Sequence, residues 1–393
     1  MKRSFFRNPR LIGSLFYFSL WASVGSYGPF VNVYFAQLGL TGLHIGLISA
    51  CMSLMSFLVG PPLSMLADRR RWQKQMLLWS LGGAAILMPL FIFPRTFLPI
   101  FLLALLRAVF ISPMMPIADG LVARMATRYR IDYGQLRLWG SLSFAVAAIL
   151  CGALWERLGW PAMFITGALL MAPVMVCALP LESNPVPTRH VAPSLRHVRR
   201  DRGLLALLVT TFLVGIAEGV YSAFSGVYMD ALGGGKILVG ALFGLSALCE
   251  LPMMHYSGYI FRKLGKPATV LLGYGLVGAA LLGYALARSP WVLLLFAMLK
   301  GMGFALHFVG SVSLVDERSP ESWTATLQSL TNAARGLAPL LTVPLGGLLA
   351  DRLGLPTVFT GAGITAMLAV GVLAVALIAR QFKTAPLVDS ESI

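Results

Sequence analysis

The sequence predicts an all-α integral membrane protein, with twelve transmembrane helices arranged as two pseudo-symmetric six-helix bundles. Three observations predict it: a train of apolar runs of membrane-spanning length, a one-sided distribution of basic residues, and an internal repeat of half the chain. Hydrophobic residues make up 58% of the 393 positions and charged residues only 12%. A soluble globular domain carries about 25% charged residues. The apolar residues gather in runs of about 20–30, the length a helix needs to cross roughly 30 Å of hydrocarbon. Strand-period alternation is absent, which excludes a membrane β-barrel.

Taken in order, the first span is expected near 11–43, after the basic start Lys2, Arg3, Arg7 and Arg10, and contains Pro29. The second, 44–67, ends in Pro61, Pro62 and a run of arginines, and the third covers 76–94. The fourth, 96–124, carries Arg107, Pro113, Pro116 and Asp119; the fifth, 137–155, opens on Arg137; the sixth is 161–181. The seventh, 203–229, contains Glu218, and the eighth, 237–261, contains Glu250 and Pro252, with His255 nearby. The ninth is 267–287, the tenth, 290–315, carries Lys300 and His307, the eleventh, 322–350, carries Arg335, Pro339 and Pro344, and the last is 356–379. Proline inside a membrane helix marks a flexible or cavity-lining segment more often than a helix end.

The net charge of +16 suggests nucleic acid until it is mapped onto the spans. With the N-terminus inside, 22 of the 31 basic residues fall on inner segments and 5 on outer ones, and Arg107, Arg137, Lys300 and Arg335 lie within or at the edge of spans. That asymmetry is the positive-inside signal of a membrane protein. It places both termini in the cytoplasm and leaves no charge for a nucleic-acid partner to explain. The charged start runs into a span too long for a signal-peptide core, so no cleavage is expected. Cys51, Cys151, Cys177 and Cys249 all fall inside spans and form neither a disulfide framework nor a metal site.

The repeat is direct. YGPFVNVYFAQLG at 27–39 matches YSAFSGVYMDALG at 221–233, and GALWERLG at 152–159 matches GLLADRLG at 347–354, offsets of 194 and 195 residues. Parallel six-helix repeats about an axis along the membrane normal build one large class of secondary transporters. The domains are therefore 1–181, a cytoplasmic linker 182–202 rich in Pro, Arg and Ser, 203–380, and a cytoplasmic tail 381–393. In so apolar a chain each intramembrane charge is a functional candidate, against the alternative of a structural ion pair. Asp119 and Arg137 flank one short loop at similar depth. Opposite charges at matched depth stabilise each other in low dielectric, so Arg137 is expected to point at Asp119.

Motifs give the chain a family resemblance. SMLADRRR at 64–71 resembles the loop between helices 2 and 3 of the major facilitator superfamily, with Ser64 in place of glycine. The resemblance implies that Asp68 and Arg69 act in gating, although a charge cluster that sets topology explains the arginines equally well. ADGLVARMATRYRIDYGQLRLWGS at 118–141 is similar to the signature of the lactose-permease-like branch, closest to its phenylpropionate permease and nucleoside–proton symporter members. Asp132, Tyr133, Gly134, Arg137, Leu138, Trp139, Gly140 and Ser141 all match.

The resemblance implies that Asp119 and Arg137 clamp the substrate, that Glu218 and Arg335 form a positioning pair, and that Lys300 matches a helix-10 lysine. Glu250 matches an acidic residue on helix 8. The neighbouring histidine and the proton-carrying glutamate of lactose permease fall on Gly303 and Leu306, with His307 one residue off, so the proton site does not carry over by position. Candidate substrate-binding residues are thus Asp119, Arg137, Glu250, Lys300, His307, Tyr27 and Asn32. Glu250 and Asp119 are the candidates for proton coupling.

The function expected is secondary active transport: proton-coupled uptake of a small polar organic solute, an organic or aromatic acid, a nucleoside or a sugar, by alternating access. A proton-driven exporter of drugs or metabolites is the alternative. No nucleotide-binding motif is present, and His255 and His307 form no ligand cluster, so neither an enzyme nor a cofactor is expected. The expected partners are the solute, protons and the lipid bilayer, with the chain a monomer in a bacterial inner membrane. Four interior cations against three carboxylates (Asp119, Glu218, Glu250) tolerate a monoanion without excluding a neutral solute.

Overall fold

The computed structural model describes residues 8–181, 201–318 and 324–379, with the side chains of 318 and 324–326 left aside. No strand occurs among the described residues. Most of the expected linker and all of the expected tail lie outside them, as do Lys2, Arg3 and Arg7 of the basic start. The chain divides into two compact units, Met1–Val186 with Gly226–Leu248, and Pro187–Ser225 with Cys249–Ile393.

In the first half the helices are α1 (Pro9–Tyr27), α2 (Val31–Gln37), α3 (Gly42–Leu58), α4 (Gly60–Arg70), α5 (Gln73–Leu87), α6 (Phe97–Ile111), α7 (Met114–Arg128), α8 (Tyr133–Leu169) and α9 (Met171–Ala178). A 3-10 turn, Pro89–Ile92, follows α5. The second half holds α10 (Arg202–Ala231), α11 (Gly235–His255), α12 (Ser257–Leu264), α13 (Lys266–Leu286), α14 (Pro290–Arg318), α15 (Thr324–Leu353) and α16 (Leu355–Ile378).

Local chemistry sets several starts and stops. Asn8 caps α1 by accepting from the Arg10 amide, and Thr41 and His44 form a reciprocal cap on α3. Such caps satisfy amides that the first helical turn leaves without partners. Both repeated stretches end in glycines with left-handed backbone: Gly39 and Gly233 at φ 86° and 83°, Gly159 and Gly354 at 78° and 85°. Only glycine takes this conformation without strain, so the duplication seen in sequence recurs as matched turns.

Among the described residues ten helical stretches are long and apolar enough to cross a membrane. One of them, Tyr133–Ala178, is 46 residues long and turns at Gly159. At about 1.5 Å per residue it exceeds two hydrocarbon thicknesses. The pair α1 and α2 precedes the ten. The first unit's core gathers Phe16, Tyr17 and Leu20 of α1 with Leu77 and Leu81 of α5 and Leu121 and Val122 of α7. The second unit's core joins Leu207 and Val214 of α10 to Val270 and Tyr274 of α13, Val315 of α14 and Leu373 of α16.

Candidate functional site

In the first unit the signature at 132–140 reads as a set of local devices around α1. Asp132 caps α8 by accepting from the Gly134 amide at 2.8 Å. The next residue, Tyr133, places its hydroxyl 2.8 Å from that of Tyr17, and Tyr17 donates to Oδ1 of Asp119 at 2.6 Å. One turn into α8, the Arg137 guanidinium lies 4.2 Å from the Trp21 ring centre and 5.7 Å from that of Tyr17. Gly140 makes room for this stack, since a Cβ there would fall 2.6 Å from Cδ1 of Trp21 and 2.8 Å from Nη1 of Arg137. Trp139 turns away, 46% exposed and edge-on to Phe18.

The expected contact between Arg137 and Asp119 is not made. Matched depth alone predicted it, but the aromatic residues of α1 serve both groups. Asp119 is held by a tyrosine hydroxyl, while Arg137 rests on ring faces and its buried Nη1 has no hydrogen-bond partner. A guanidinium over an indole is a favourable cation–π arrangement, yet it leaves the planar fork of donors unused.

Tyr27, at the end of α1, lies under the Arg107 guanidinium at 4.8 Å. Asn32 is half-buried on α2. Asp68 is exposed at the end of α4 and accepts from Gln73, the first residue of α5, at 2.9 Å. Arg69 beside it is exposed.

In the second unit, Glu218 on α10 meets α14. Oε2 lies 2.9 Å from Nζ of Lys300, and Oε1 lies 3.6 Å from Nε2 of His307. Lys300 and His307 are 5% and 1% exposed. They sit seven residues apart, two helical turns on one face. Phe304 between them and Tyr221 on α10 close around the ammonium at 4.6 and 4.3 Å. Tyr274 on α13 lies 5.2 Å from the His307 ring.

The crossing of α13 and α14 is set by glycines. A Cβ at Gly303 would lie 2.8 Å from the Gly273 carbonyl oxygen, and one at Gly273 would lie 2.5 Å from the His307 amide. Position 303 therefore has no room for the histidine lactose permease carries there, and His307 stands one turn along.

The expected ion pair of Glu218 with Arg335 is a second correction: Lys300 and His307 take the carboxylate. Helices α10 and α15 do touch, for a Cβ at Gly215 would lie 2.6 Å from the Arg335 carbonyl oxygen. With its backbone pressed there, the Arg335 side chain meets α14 instead, its guanidinium 5.0 Å from the Phe308 ring and its Nε without a partner. Glu250, half-buried on α11, lies within electrostatic range of Lys300. His255 is exposed and stands edge-on to Tyr256. Sequence reasoning singled out Glu218, Lys300 and His307 but gave Glu218 to Arg335, and it missed Tyr17 and Tyr133 as the hydroxyls beside Asp119. Their register with Trp21 and Arg137 along α1 and α8 was the available signal.

Ionisable side chains buried in each of two units of a multi-pass helical protein fit the class of membrane transporters, in which such residues mark solute and proton pathways. More particularly, residues 11–360 match the family described as "MFS_1 like family", and the chain belongs to it. It is 26% identical over 375 residues to the maltose permease of Geobacillus stearothermophilus, covering 94% of this chain and 95% of that one. A probable 3-phenylpropionic acid transporter of Escherichia coli (strain K12) is 26% identical over 356 residues, covering 87% and 91%. The crystal structure of the nucleoside transporter NupG shares the fold with a TM-score of 0.77 at 17% identity, over 96% of this chain and 100% of that one. The resemblance to the major facilitator superfamily is thus borne out.

Proposed function

We propose that the chain is a proton-coupled importer that moves a small polar organic solute by alternating access. It would lie in a bacterial inner membrane, as a monomer with both termini cytoplasmic. Twelve crossings follow if 9–37 is one span and Tyr133–Ala178 is two. The solute classes are those of its relatives' names: sugar, aromatic acid or nucleoside.

The observation that carries this reading is the arrangement around Tyr17. Its hydroxyl donates to Asp119 at 2.6 Å, and its ring flanks an arginine whose Nη1 has no partner. Protonating Asp119 breaks no ion pair, whereas protonating Glu218 breaks the one it makes with Lys300. A solute that draws Arg137 off the rings changes the field at the Asp119 carboxylate, and nearby charge governs proton affinity. That links solute binding to proton binding, with Arg137 as clamp and Asp119 as carrier. Glu250, which shares the field of Lys300 with Glu218, is the second candidate carrier. Asp68 and Arg69 stand at the α4–α5 joint, where a gating contact would form.

The test is uptake into reconstituted vesicles of maltose, uridine and 3-phenylpropionate under an imposed pH gradient. Wild type should accumulate at least one of them when the outside is acidic. Asp119→Asn should keep solute exchange but lose gradient-driven accumulation. Accumulation unchanged in Asp119→Asn removes that residue from coupling, and acid-driven efflux without uptake would make the chain an exporter.

A further inference from the structure

Arg107 is a buried cation that the Asp119 and Glu218 clusters leave unused. It sits on α6 with 7% exposure. Nη2 donates to the Met88 sulfur at 3.8 Å, the Tyr27 ring lies 4.8 Å away, and Nε has no hydrogen-bond partner. No described carboxylate forms an ion pair with it. Arg107 precedes Asp119 by twelve positions, roughly 18 Å along the helix direction, so it is a separate station from the one at Arg137.

A guanidinium does not discharge by losing its proton. A cation kept in a low-dielectric interior without an anion is costly, and an intramembrane one normally has a partner. A thioether is a weak acceptor, and a ring face offers electrostatic attraction without using the N–H donors directionally. The fork of Arg107 therefore lacks the planar pair of oxygens it matches best.

Its one hydrogen-bonded neighbour is also the most easily moved. Methionine is unbranched and readily repacks. Met88 sits at the joint between α5 and the 3-10 turn, and its tip occupies the space Gly167 leaves open. A Cβ at Gly167 would lie 2.3 Å from Cε of Met88 and 3.0 Å from its sulfur.

We propose that Arg107 is an anion-binding site for the carboxylate of a small organic acid, with Tyr27 as its platform and Met88 as a stopper that the ligand displaces. The proposal rests on the reading of the chain as an organic-solute transporter and narrows its substrate class to monocarboxylates. An inorganic anion offers the same charge and is the competing source.

The experiment is ligand binding to the purified, detergent-solubilised full chain, which reads the site whether or not the vesicles transport. Acetate, lactate, benzoate and 3-phenylpropionate are each compared with the neutral amide of the same acid, and with chloride and phosphate. At least one acid should bind about tenfold tighter than its amide, the ratio expected when a charge-assisted bidentate contact is gained. Arg107→Gln should abolish that preference.

Two further variants keep the charge and so hold the test open if Arg107→Gln does not fold. Met88→Ala should tighten acid binding severalfold and leave amide binding unchanged. Gly167→Ala should weaken acid binding by driving Met88 onto the guanidinium. An arginine with only a structural role would move neither ratio. Acids binding no better than amides, a preference that survives Arg107→Gln, or chloride or phosphate competing as well as any acid would each overturn the proposal. None of these outcomes touches uptake of maltose or uridine, and failure of all uptake would count against the transport reading alone.

Discussion

The two units hold their buried carboxylates in opposite ways. In the first, cations and carboxylate are kept apart by the aromatic side chains of α1: Asp119 takes a tyrosine hydroxyl, while Arg137 and Arg107 rest on ring faces. In the second, Glu218 pairs directly with Lys300 with His307 beside it, while Arg335 rests on the Phe308 ring as the first unit's arginines rest on theirs. Depth in the membrane does not decide between these outcomes, since Asp119 and Arg137 are well matched in depth. What decides is which helix faces which. Residues 300 and 307 share one face of α14 turned to α10, whereas Asp119 and Arg137 lie on different helices that both turn to α1. The difference separates a carboxylate neutralised by a lysine on the facing helix, suited to holding helices together, from one held by a neutral hydroxyl beside guanidiniums with unused donors.

The sharpest way to break this contrast is to remove Lys300. With side-chain exposures of 7% for Lys300 and 16% for Glu218, truncation leaves a buried carboxylate with a histidine as its nearest remaining partner. Lys300→Ala should cost about 3–5 kcal/mol, and the double variant Glu218→Ala with Lys300→Ala should cost less than the single one. Chemical unfolding in micelles measures both. Equal losses would mean that the pair contributes no coupling, and the second unit would then resemble the first.

Arg137→Lys probes the other side of the comparison. Its stability should stay near that of wild type, because no ion pair is lost. Uptake should fall about tenfold or more, because an ammonium is a point charge and cannot reproduce a planar fork. The measurement is vesicle uptake at matched expression, alongside the unfolding midpoint. Near-normal uptake would reduce Arg137 to a residue that orients the chain in the membrane.

How much of this was legible in the sequence follows from the range of the forces involved. Spans, topology and duplication rest on hydropathy and charge summed over many residues, so they can be read without coordinates. The match to the superfamily's signature pointed to α7 and α8, where the devices are local: Asp132 caps two residues on, and Gly140 clears space one turn from Arg137. Partner choice was not legible. Arg335 was assigned to Glu218 by alignment, and the contact of α10 with α15 is real. Its side chain nonetheless goes to Phe308, because the backbones touch at Gly215. Likewise, no pattern in α14 alone reveals that Gly303 sits against Gly273, which excludes a side chain there and leaves His307 to reach Glu218.

The smallest effect is expected at Trp139, two residues from Arg137 in the same signature. Two residues on an α-helix are about 200° apart around the axis, so these side chains leave on nearly opposite faces. Arg137 points to α1, while Trp139 is 46% exposed and touches Phe18 edge-on, with ring centres 6.5 Å apart. On a lipid-facing surface a tryptophan gains little over another apolar residue unless it sits at the headgroup level. Trp139→Leu should therefore change uptake less than about twofold and stability by less than ~1 kcal/mol, close to the effect of a surface substitution. Vesicle uptake and unfolding measured beside Arg137→Lys give the comparison. A loss at Trp139 as large as that at Arg137 would mean that both faces of α8 meet the solute, and the division of labour drawn here between ring-held arginine and lipid-facing tryptophan would have to be abandoned.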